Sequence, residues 1–104
     1  MRYDESANGK EVEVRVSEEF EIALPETRTA GYRWMVAGKG GPHCELLEDK
    51  TQPNTAGVGG SGTHVWRFRA ISPGTSEVEL HYARSWEETP GPAKTFRLNV
   101  YVRP

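Results

Sequence analysis

The sequence predicts an all-β, two-layer sandwich, and three observations predict it. Apolar and polar residues alternate with a period of two in seven separate segments, and no helical period lies between them. The segments are short and are divided by Gly, Pro, Ser and Asn, residues that turn a chain. The chain has 104 residues, enough for one domain around a single core. Seven short strands in that length indicate an immunoglobulin-like β-sandwich of about seven strands. A small barrel is the structural alternative. The lone cysteine rules out the paired-cysteine pattern of an antibody domain.

In the first predicted strand, Val12, Val14 and Val16 alternate with Glu11, Glu13 and Arg15. In the second, Phe20, Ile22 and Leu24 alternate with Glu21 and Ala23, and Leu24–Pro25 is expected to break it. Tyr32, Trp34 and Val36 form the third. The fourth is short and weak, from Cys44 to Glu48 around Leu46 and Leu47. The fifth, Val65 to Ile71, puts Trp66, Phe68 and Ala70 on one face and Arg67 and Arg69 on the other. Val78, Leu80 and Tyr82 alternate with Glu77, Glu79 and His81 in the sixth. Phe96, Leu98, Val100 and Val102 alternate with Arg97, Asn99 and Tyr101 in the last. Trp34 and Trp66, both mid-strand, are expected in the core.

Composition narrows the functional classes. Apolar residues make up 36% of the chain and charged residues 27%, as in a soluble globular domain. The formal net charge of −2 removes the simplest electrostatic case for nucleic acid or an anionic membrane. No apolar run approaches the roughly 20 residues of a membrane helix. The start, "MRYDESANGKE", has no signal-peptide core. As written, the protein is expected to be soluble and cytoplasmic, or secreted or periplasmic if a leader has been removed. Cys44 is expected to be a partly buried structural thiol. His43, His64 and His81 are scattered without metal-ligand spacing, so no metal and no cofactor are expected. The sequence has no GxSxG and no P-loop, and the glycine-rich "GVGGSG" stands in no strand–GxGxxG–helix context, so catalysis is not expected.

The connections fall into two groups. "SEE" (Ser17–Glu19), "AGKGGP" (Ala37–Pro42) and "SPG" (Ser72–Gly74) are ordinary turns. "PETRTAG" (Pro25–Gly31), "TQPNTAGVGGSG" (Thr51–Gly62) and "RSWEETPGPA" (Arg84–Ala93) are longer. If successive strands run alternately up and down, these three share one end of the scaffold, which suggests a binding surface. Thr27 and Thr29 offer hydroxyls there, and Gly57, Gly59, Gly60 and Gly62 leave main chain uncovered. Their charged residues are Glu26, Arg28, Arg84, Glu87 and Glu88, a poor set for catalysis. Trp86 beside Arg84 has the composition of an interface hot spot, although its even number also continues the inward set of the sixth strand.

These motifs resemble the chagasin family of cysteine-peptidase inhibitors, whose pattern is NPTTG[YF]xW, then GxGG, then RPW. "TRTAGYRW" (Thr27–Trp34) is similar to the first, "GVGG" (Gly57–Gly60) matches the second, and "RSW" (Arg84–Trp86) is similar to the third. The resemblance spans about residues 10 to 102. It implies a proteinaceous, reversible inhibitor of papain-like cysteine peptidases, acting as a monomer. The implied peptidase-binding residues are Thr27, Arg28, Thr29, Ala30, Gly31 and Tyr32, then Gly57, Val58, Gly59 and Gly60, then Arg84, Ser85 and Trp86. The first loop would lie over the catalytic cysteine, with Thr29 near the catalytic histidine. Gly57–Gly60 would pair by main chain with the substrate-binding segment, and Trp86 would pack on the primed side. The chain departs from the pattern at Thr27 (Asn in the family), Arg28 (Pro), Ala30 (Thr) and Ser85 (Pro). A binding module for another protein or a carbohydrate is the alternative function.

Overall fold

The structure, a computed structural model, describes residues 1–27, 32–53, 61–84 and 94–104. These residues form eight strands: β1 (Arg2–Tyr3), β2 (Lys10–Arg15), β3 (Glu19–Thr27), β4 (Tyr32–Lys39), β5 (Cys44–Pro53), β6 (Ser61–Ala70), β7 (Gly74–Arg84) and β8 (Lys94–Arg103). A single 3₁₀ turn, Glu5–Ala7, capped by the Asp4 side chain, lies between β1 and β2. The strands pair as two sheets of four, ordered β1-β3-β6-β5 and β2-β8-β7-β4. β1 runs parallel to β3 and β2 parallel to β8, and the remaining pairs are antiparallel. Two separate sheets make this a sandwich and not a barrel.

The alternation places the core as expected. Phe20, Ile22 and Leu24 of β3 and Trp66, Phe68 and Ala70 of β6 face Val78 and Leu80 of β7 and Phe96, Leu98, Val100 and Val102 of β8. Phe20 stacks on Phe68 with ring centroids 5.2 Å apart, and Trp34 meets Trp66 edge-on at 6.3 Å. The N-terminal segment joins them: Ala7 is buried in this core, and Tyr3 sets its ring edge-on to Phe20.

The expected boundaries of four strands change. β3 does not break at Pro25 but continues to Thr27, paired with β6 throughout. β1 covers only Glu21 and Ile22 of β3, so the edge at Pro25 has no strand neighbour and a missing N–H costs nothing there. The Pro25 carbonyl accepts a 2.9 Å bond from the Trp34 indole. β5 runs to Pro53, not to Glu48. A bulge between Leu46 and Glu48 turns Leu47 outward, 39% exposed, and the following residues are polar on both faces. That outer half of β5 hides its strand character because it is a charged edge. β4 absorbs Ala37, Gly38 and Lys39 through a second bulge, and β6 begins at Ser61, ahead of the expected Val65.

The short turns lie together at one end. The Ser17 N–H bonds the Ala70 carbonyl and the Ile71 N–H bonds that of His43. Gly74, at φ 141°, lies against the His43 ring; an L side chain would be strained at that backbone angle, and its Cβ would displace the ring.

Cys44 is buried, and desolvation pushes its thiol up to about 11. The thiolate is the reactive form, so a disulfide reagent at pH 8 should label the native protein ~100-fold more slowly than the denatured chain. Equal labelling rates would show that the thiol is open to solvent.

Candidate functional site

The strand register brings six strand ends to one level. In one sheet Thr27 at the end of β3 pairs with Ser61 at the start of β6, and Gly62 pairs with Pro53 at the end of β5. In the other, Tyr32 at the start of β4 pairs with Arg84 at the end of β7, and Lys94 at the start of β8 pairs with Tyr82. The sheets meet at this level through Glu26 of β3, which accepts the Trp34 N–H of β4 at 2.8 Å. Connections 28–31, 54–60 and 85–93 therefore all leave from the end opposite the short turns.

Beneath them lies a polar cluster set in aromatic surroundings. Glu26 is 1% exposed. Its Oε1 accepts from the Thr51 hydroxyl at 3.0 Å, and its Oε2 lies 2.9 Å from His64 Nδ1. His64 Nε2 is hydrogen-bonded to Asp49 Oδ1. The His64 ring stacks flat on Trp66, centroids 4.0 Å apart. Burial works to raise the Glu26 carboxyl, but hydrogen bonds from His64 and the Trp34 amide, the charge of His64 and the Thr51 hydroxyl outweigh it. The carboxyl is held below its usual range.

A second, aromatic wall belongs to the other sheet. Tyr32 stacks on Tyr82 at 5.2 Å, Trp34 packs on Tyr82 at 4.8 Å, and the Lys94 ammonium lies 5.6 Å from the Tyr82 ring centre. β1 and β2 stop short of this end, which leaves an open cavity of about 290 Å³ floored by Leu24, Trp34 and Phe96.

Of the expected site residues, Thr27 and Arg84 are strand ends at this level, and Tyr32 forms part of the aromatic wall. Arg28, Thr29, Ala30, Gly31, Gly57, Val58, Gly59, Gly60, Ser85 and Trp86 lie outside the described residues. The sequence reading missed Glu26 and His64 as a pair. By sequence Glu26 reads as a loop charge and His64 as a scattered histidine. Their even numbers, continuing Leu24 and Trp66, carry the inward parity that would have placed them. Among the described residues, no group of three or more His, Cys, Asp or Glu is arranged to hold a metal ion.

The described residues thus form a two-sheet scaffold whose six strand ends flanking segments 28–31, 54–60 and 85–93 lie at one end. A family model described as Chagasin family peptidase inhibitor I42 matches residues 13–100, and the chain belongs to this family of inhibitors, which are not enzymes. Solved structures share the fold. The cysteine protease inhibitor EhICP2 from Entamoeba histolytica aligns with a TM-score of 0.83 at 17% identity, covering 98% of this chain and 93% of that one. Amebosin aligns at 0.82 with 24% identity, covering 99% and 97%. PbICP-C, solved in complex with falcipain-2, aligns at 0.71 with 18% identity, covering 99% and 90%. No curated protein matches the chain.

Proposed function

We propose that the protein is a reversible, non-covalent inhibitor of papain-like cysteine peptidases that fills the active-site cleft with segments 28–31, 54–60 and 85–93. The observation that carries this reading is the family match on a fold whose register sends all three segments out from one braced end. A related fold has been solved in complex with falcipain-2, which supports a peptidase partner. In this reading segment 28–31 lies over the catalytic cysteine with Thr29 near the catalytic histidine, Gly57–Gly60 adds a short strand by main-chain hydrogen bonds, and Trp86 packs on the rim of the cleft with Arg84 beside it. The cleft is blocked because no scissile bond is offered to the nucleophile in attack geometry. Titrating the protein into papain with a fluorogenic peptide substrate should abolish activity, and activity should return on dilution.

The departures from the family pattern predict how the inhibitor can be improved. Arg28 and Ser85 stand where the pattern has proline, so each segment is freer before binding and has more to lose on ordering. Arg28→Pro should lower the inhibition constant by about 0.4 to 1 kcal/mol. Ala30→Thr should add about 1 kcal/mol through a restored hydroxyl, and Ser85→Pro should act in the same direction. Inhibition constants against one peptidase at fixed salt measure this. If the restored variants inhibit and the wild type does not, these loops serve another partner. If neither inhibits, the binding-module reading, for another protein or a carbohydrate, replaces this one.

A further inference from the structure

The polar cluster grips four strand ends at once. Glu26 lies just before segment 28–31 and Trp34 just after it, and they are joined by the 2.8 Å bond from the Trp34 amide. Thr51 leads toward segment 54–60 and His64 follows it, and both contact Glu26. His64 on β6 thus sits between β3 and β5, with a carboxylate from each at its two ring nitrogens. Glu26 and Asp49 are the charged groups that the described residues bring within ion-pair distance of this ring. The Thr51 hydroxyl is 3.5 Å from Nδ1, and Trp66 covers one ring face.

A neutral imidazole carries one N–H, and its other nitrogen presents a lone pair. With carboxylates at both nitrogens, only the doubly protonated ring donates to both, and a neutral ring must set a lone pair against one carboxylate. Stacking of a cationic ring on the indole face favours the same form. His64 is only 8% exposed, so water cannot readily replace the lost partner.

We infer that His64 is a positioning residue of the inhibitory face: as an imidazolium it ties Glu26 to Asp49, fixes the roots of segments 28–31 and 54–60 together, and makes inhibition tighter when the ring carries both protons. This rests on the inhibitor reading for its effect on a peptidase but not for its effect on the segments. The protein's affinity for a peptidase therefore depends on the charge of this ring. Glu26 and Thr51 act with His64, and Asp49 supplies the contact that is lost first, because its side chain is 45% exposed.

The test is a pH titration of the free protein from 8 to 5 by ¹H–¹⁵N amide spectroscopy. It is paired with inhibition constants at both ends of that range against one papain-like peptidase. Amides of residues 28–31 and 54–60 should shift with the same midpoint as the His64 ring. Inhibition by the wild type should tighten about tenfold toward acid relative to His64→Gln, a typical coupling between two sites. Asp49→Asn, a change at a half-exposed carboxylate that leaves the core intact, should flatten the same pH dependence if His64→Gln does not fold. Segment amides that ignore the His64 titration overturn the proposal, and so does a wild-type pH profile retained in either variant. If the amides follow His64 but no peptidase is inhibited at either pH, the positioning role stands and the inhibitor reading falls.

Discussion

Glu26→Ala is expected to destabilise the fold by about 3 to 5 kcal/mol, the effect of removing one partner from a buried ionic pair. The carboxylate is enclosed, and its loss strands the Trp34 amide, the Thr51 hydroxyl and the His64 ring in one stroke. A domain of this size is held by about 5 to 15 kcal/mol in all, so the variant should be near the limit of folding. Glu26→Gln should cost less, because an amide oxygen can still accept one of these bonds. The pH dependence has a definite sign. The Glu26 carboxyl is held below its usual value in the folded state, so its contribution is complete above the ordinary carboxylate range and fades as pH falls through the folded value. The gap between wild type and Glu26→Gln should therefore narrow in acid. Denaturant unfolding at pH 7 and pH 3 measures it, and a loss under about 1 kcal/mol for Glu26→Ala at pH 7 would contradict the central place given to this carboxylate.

Trp86→Ala should weaken inhibition about thirty-fold with little change in melting temperature. A hot-spot aromatic is worth about 2 kcal/mol or more, and that energy corresponds to roughly this ratio. The two readouts separate the two roles that its sequence position leaves open. A large fall in melting temperature with inhibition following it would make Trp86 a core residue that extends the inward set of Val78 and Leu80. An unchanged inhibition constant would remove segment 85–93 from the contact.

Parity made most of this fold legible. Wherever one face of a strand is buried and the other is wet, as in Trp66-Arg67-Phe68-Arg69, the side-chain period states both the strand and its orientation. It fails where that contrast disappears. The outer half of β5, from Glu48 to Pro53, is polar throughout, and its place in the sheet comes from backbone pairing with β6. Pro25 reads as a stop because the sequence does not say that β1 leaves its edge of β3 uncovered. The end bearing the loops followed from counting alternating strands, and the register agrees with it. The cluster beneath was hidden for a different reason. Glu26, Asp49, Thr51 and His64 share no spacing that a motif could encode, and they meet only because β3 and β5 flank β6 in register.

In the proposed mode of inhibition, the end carrying segments 28–31, 54–60 and 85–93 enters a peptidase's active-site cleft. The most direct test is a binding measurement with a papain-like peptidase whose catalytic cysteine carries a covalent peptidyl group filling the cleft. The open enzyme should bind the protein, and the filled enzyme should show no measurable complex at the same concentrations. Equal binding to both forms would place the contact elsewhere on the enzyme and contradict the account.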